Sequence, residues 1–124
     1  RDEYLAYASG SRIILNLHRL NSDMDMRNSR AVLASSPNNR LFEMAAIGIP
    51  QMVDSSRMPE IAEYFLPDEE IVLFSSPEEF REKFARLMRD PGLARRTGAA
   101  AQKRALSCHT YQVRLQEHFL HILE

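Results

Sequence analysis

One joint limits what this chain can fold into: Gly48-Ile49-Pro50, set between a helical pattern and an apolar run. Before it, Asn38-Asn39-Arg40-Leu41-Phe42-Glu43-Met44-Ala45-Ala46-Ile47 offers a capping Asn, a polar first turn and apolar residues at helical spacing. That pattern predicts a helix over Asn39–Ile47, capped by Asn38 or Asn39. Gly48 suits the left-handed residue that ends a helix, and Pro50 cannot extend one. The run Ile49–Val53 then predicts a buried strand. A helix feeding straight into a buried strand is half of a parallel crossover.

The remaining segments fit this unit. Arg12–Leu17 is a near-continuous apolar run and predicts an earlier strand, and Glu70–Phe74 predicts a later one. Residues 2–9 and Pro59–Phe65 read as short helices. Ser76-Pro77-Glu78-Glu79 is a helix start with a Ser cap, a first-position Pro and a capping-box Glu. Phe80, Phe84, Leu87 and Met88 follow as an apolar stripe. Asp90-Pro91 opens a second helix to about Leu106 by the same device. A third starts at the Thr110 cap, with Tyr111, Leu115, Phe119 and Ile122 on a side read as core. The expected fold is α/β: a Rossmann-like half-domain, with a small parallel sheet of about three strands flanked by helices and a helical C-terminus. Residues 1–124 form one domain on this reading.

Composition excludes several functions. The 16 basic and 17 acidic residues give a net charge of -1, so no bulk attraction for nucleic acid is expected. No apolar run is long enough for a membrane span. The single Cys108 excludes an internal disulfide and favours a reducing, cytoplasmic setting. Without an initiating Met or a leader pattern, the chain reads as part of a longer protein. Of the four His, His118 and His121 stand at i,i+3 but have no third ligand nearby, so no metal is expected. A Gly-rich phosphate loop and a Ser-His-Asp set are also missing. No cofactor is expected.

In a parallel sheet, ligands gather at the carboxyl ends of the strands. Here those ends are Asn16–Arg19, Asp54–Arg57 and Ser75–Ser76, beside the start of the Asn39 helix. Asn39, Arg40 and Glu43 project near one another on the first turns. A helix N-terminus with an adjacent Arg suits a phosphate, and a carboxylate one turn in suits sugar hydroxyls. A capped surface helix with an Arg–Glu pair would use the same residues. Asn16, His18 and Arg19 are further candidates, and Asp54, Ser55, Ser56 and Arg57 are less specific because turn residues follow any strand.

The run Arg40-Leu41-Phe42-Glu43-Met44-Ala45-Ala46-Ile47-Gly48-Ile49-Pro50 resembles the R-x-F-E-x-x-A-x-G-x-P segment of GT-B glycosyltransferases, group 1 or family 4-like, in particular the spore-maturation (CgeB-like) branch. Tyr7-Ala8-Ser9, Ile13–Arg19, Glu63-Tyr64-Phe65, Glu70-Ile71, Ser76–Phe80 and His109-Thr110-Tyr111 with Arg114 are similar to family segments in the same order. The resemblance implies the C-terminal, nucleotide-sugar-binding portion of a hexosyltransferase-type enzyme, with Glu43 on the donor ribose and Asn39 and Arg40 on the diphosphate. The wider group carries a second Glu upstream, where this chain has Ser35. The resemblance also implies that the base and acceptor site lie elsewhere, leaving this portion inactive alone, with a nucleotide diphosphate sugar as partner and an unknown acceptor. It gives His109-Thr110-Tyr111 a packing role. The strand at Arg12–Leu17 would pair with a missing half, so its open edge is expected to form a homodimer. Residues 19–38 join the two site elements and are expected to close over the diphosphate. A nucleotide-sugar epimerase of the same fold and a non-catalytic interaction module are the alternatives.

Overall fold

The computed structural model describes residues 2–18 and 36–123. Arg19 and most of the 19–38 segment therefore lie outside the described residues, as does Ser35.

Helix α1 (Asp2–Ser9) leads into strand β1 (Ile14–Asn16). Helix α2 (Asn39–Ile47) and strand β2 (Gln51–Asp54) flank the Gly-Ile-Pro joint. A short turn at Ser55–Arg57 precedes α3 (Met58–Ala62), and β3 (Val72–Phe74) follows. Then come α4 (Pro77–Arg89), α5 (Pro91–Cys108), α6 (Tyr111–Arg114), a wider helical turn over Leu115–Phe119 and α7 (Leu120–Leu123). The strands pair in the order β1-β2-β3, all parallel, with Ile14 opposite Gln51 and Val53 opposite Leu73. The expected α/β half-domain is present, with strands shorter than the apolar runs that announce them.

Local chemistry accounts for the boundaries. Asn38 caps α2 by accepting from the Leu41 N–H at 3.1 Å. Gly48 closes it at φ 86, with its N–H on the Ala45 carbonyl. Ser76 and Asp90 cap α4 and α5, each followed by Pro. The capping box is only half formed. Ser76 accepts from the Glu79 N–H, but Glu79 reaches past Ser76 to the Ser75 N–H and hydroxyl, at 2.8 and 2.7 Å.

Strand alternation sends Val53 and Leu73 to one face and Met52, Val72 and Phe74 to the other. Leu41, Ala45, Ile61 and Phe65 cover the first face, and Phe80 and Leu87 of α4 cover the second. Helix α5 belongs to both: Leu93 and Ala94 pack on the second cluster, Ala101 and Ala105 on the first. Between them Gly98 passes the Gly48–Pro50 joint so closely that a Cβ would lie 2.2 Å from the Gly48 carbonyl oxygen. Gln102 Nε2 donates to the Ala46 carbonyl at 3.0 Å just beyond. Because the joint precedes β2, α5 wraps the amino ends of the strands and leaves the carboxyl ends open.

The last helices correct one expectation. Tyr111 is 88% exposed and Leu115 54%, so their stripe is not core. Helical spacing shows that the residues share a side but not what the side meets. The packing expected of His109 is seen. Its Nε2–H donates to the Tyr64 carbonyl at 2.8 Å, and its ring meets Phe42, Tyr64 and Phe65 edge-on. Arg114 lies over Phe42 at 4.9 Å, and Thr110 caps α6.

Candidate functional site

The open rim is built from two polar knots. In the first, Asn16 ends β1 with 0% exposure. Its Nδ2 donates to Asn38 Oδ1 at 3.2 Å and Gln51 Oε1 at 3.3 Å, and its Oδ1 accepts from Asn38 Nδ2 at 2.8 Å. Gln51 in turn donates to the Leu41 carbonyl at 2.8 Å. The amide of Asn16 is therefore occupied and enclosed. Through Asn38 it ties the end of β1 to the start of α2.

The second knot joins the ends of β1 and β2. Asp54 Oδ2 accepts from the His18 backbone N–H at 2.5 Å and lies 3.2 Å from His18 Nδ1. Asp54 Oδ1 accepts from the Ser56 N–H at 3.2 Å and from the Ser56 hydroxyl. Partial burial alone would raise the Asp54 pKa, but the bonds from Ser56 and His18 outweigh it and hold the carboxyl below its ordinary value. Register explains the meeting: Asn16 faces Val53, so the next residues of both strands run past the sheet edge side by side.

Asn39, Arg40 and Glu43 are all exposed, while Leu41, Met44 and Ala45 are buried on the other side of α2. The cap is Asn38, which leaves the Asn39 side chain without a capping role. Among the described residues, no hydrogen bond or ion pair joins Arg40 or Glu43 to another side chain. Nor does one join these three residues to His18. The structure thus groups the candidates as an enclosed scaffold (Asn16), a half-enclosed couple (His18 with Asp54) and an open helix start (Asn39, Arg40, Glu43). Arg19 lies outside the described residues.

A cavity of about 480 Å³ opens at the same end, on the α4 side of the sheet. Leu15, Leu17, Phe74 and Phe80 form its apolar walls, and Asp54, Ser56 and Ser75 contribute polar edges. Leu15 and Leu17, in the apolar run that predicts the first strand, are 47% and 57% exposed. The signal was available in the alternation, since Leu15, Leu17 and Phe74 fall on one face. No described helix is long and apolar enough to cross a membrane, and the described residues hold no cluster of three metal-ligating side chains.

The family model described as "Glycosyl transferase-like" matches residues 1–119. No curated protein and no solved structure matches the chain.

Proposed function

Because the chain belongs to the glycosyl transferase-like family, we propose that it carries the donor-binding part of a hexosyl-transferring enzyme whose donor is a nucleotide diphosphate sugar. The observation that carries this reading is the open start of α2. Asn38 is spent as cap and scaffold, while Arg40 and Glu43 stand exposed one turn apart at the ligand-binding end of a parallel sheet. On this reading the α2 N-terminus and Arg40 take the diphosphate, and Glu43 accepts from the ribose hydroxyls. As the bond between the sugar carbon and phosphate oxygen breaks, charge gathers on the departing diphosphate. The helix N-terminus and Arg40 stabilise that charge without rearranging. The acceptor and the catalytic base come from outside residues 1–124, and the chain alone is inactive. The Leu-Asn-x-His-Arg and His-Thr-Tyr segments favour the spore-maturation branch.

The test is calorimetric titration with UDP, GDP, ADP and TDP, wild type beside Glu43→Ala. Micromolar binding to one base, weakened roughly ten- to a hundredfold in the variant, is the expected result, since a charge-assisted hydrogen bond is worth about 1.5–3 kcal/mol. No binding by the folded wild type, or equal binding by the variant, would refute the assignment. The chain also forms a homodimer on this reading. Ile14 and Asn16 direct their backbone groups at β2, so the backbone groups of Leu15 face away from the sheet at its open edge.

A further inference from the structure

The couple at the strand ends has a feature that the donor reading leaves unexplained. The His18 side chain is 2% exposed, and among the described residues its Nε2 is the buried side-chain polar atom without a hydrogen-bond partner. Such atoms are costly and rare, and they call for an explanation. The other side of the ring is held firmly. Asp54 Oδ2 takes both the His18 backbone N–H and Nδ1, while Ser56 occupies Oδ1 from its N–H and hydroxyl. The carboxylate is thus anchored at both oxygens and cannot turn away. An ionised carboxylate only accepts, so Nδ1 carries a proton, and in its neutral form the ring presents a lone pair at Nε2.

We propose that Asp54 is a positioning residue that fixes His18 in the Nδ1–H tautomer, so that Nε2 accepts a hydrogen bond from a hydroxyl of the donor's sugar. This rests on the donor-site reading and narrows it. A lone pair attracts a hydroxyl proton and repels a phosphate oxygen. The ring is tied to the right neighbourhood: His18 lies two residues past Asn16, whose amide is bonded to Asn38, the cap of α2. With the diphosphate at that helix start and the ribose at Glu43, the donor's sugar is the hydroxyl-bearing group left for His18.

Long-range proton–nitrogen NMR correlation of the imidazoles in the nitrogen-15-labelled chain tests this. In the ligand-free wild type, His18 is expected to show a protonated Nδ1 and a bare Nε2. Asp54→Ala should lose that asymmetry by populating the other tautomer. UDP-glucose, GDP-mannose, ADP-glucose or TDP-glucose, whichever carries the bound base, should move the Nε2 resonance further than its own nucleoside diphosphate does. A ligand-free His18 protonated at Nε2 overturns the proposal without any variant. So does an unchanged tautomer in folded Asp54→Ala, or an Nε2 resonance that is the same with diphosphate and sugar nucleotide bound. If no nucleotide binds at all, the donor reading and the hydroxyl assignment fall together, while the ligand-free tautomer still decides the role of Asp54.

Discussion

Replacing Asn16 with alanine isolates the link between β1 and α2. The substitution removes three hydrogen bonds at once, two to Asn38 and one to Gln51. The two partners are affected differently. Asn38 is half-buried, still caps Leu41 and still reaches the Leu17 carbonyl at 3.4 Å, so water can replace what it loses. Gln51 is 0% exposed, and its Oε1 is left facing no donor. A stranded buried acceptor costs about 1–3 kcal/mol. The void left by the missing amide adds on the order of 1 kcal/mol. Together these predict a loss of about 2–4 kcal/mol, a large share of a small domain's stability. With a urea slope of roughly 1–2 kcal/mol per molar for a chain this size, the unfolding midpoint should fall by at least about 1 M. Asn39→Ala, on the exposed start of α2, is the matched control and should stay within about 0.5 kcal/mol. Urea titrations followed by circular dichroism measure both. Equal midpoints for the two variants would refute the view that the Asn16–Asn38–Gln51 knot holds the strand to the helix.

Gly98→Ala brings two opposed effects: helix propensity favours Ala by about 1 kcal/mol, whereas overpacking costs about 1–3 kcal/mol. The contact is with the Gly48 backbone at the end of α2, which cannot move alone, so net destabilisation is expected; a raised melting temperature would contradict the close approach of α5. Bonds from Lys83 and Ser75 hold the Glu79 pKa at about 2 against an ordinary 4.5. A lowered folded-state pKa contributes stability above the ordinary value and loses it as pH falls. The urea-midpoint gap between wild type and Glu79→Gln should therefore be constant above pH 4.5 and close toward pH 2; a gap independent of pH would mean that the charge plays no part. For the open β1 edge, sedimentation should show a dimer in the micromolar range, and a single-chain species throughout would reject it.

Much of the fold was legible because its signals are local. Caps, first-position prolines and the Gly48 stop are decided within a few residues, and those at α2, α4 and α5 stand where the patterns put them. What depends on partners distant in sequence was not legible. The stripe of Tyr111 and Leu115 has helical spacing, but spacing does not say which surface a helix meets. Asn16 is legible as a residue at a strand's carboxyl end, but only its side-chain bonds to Gln51 and Asn38 show it enclosed. Asp54 was read as a turn residue. Its bond to His18 depends on two strands ending side by side, which no single window of sequence contains.

The path of α5 divides the molecule into a conservative end and a permissive one. At the amino ends of the strands, backbone passes backbone with no room for a methyl group, so insertions or larger residues there would unseat a helix that belongs to both faces. At the carboxyl ends the ties are side-chain hydrogen bonds, Asn16 with Asn38 and Gln51 and Asp54 with His18 and Ser56, rather than backbone pressed on backbone. The connections after Asp54 and Phe74 could lengthen, shorten or change chemistry while the clasp stays shut. Such a division lets the loops of one rim change while the clasp that seats α5 is kept.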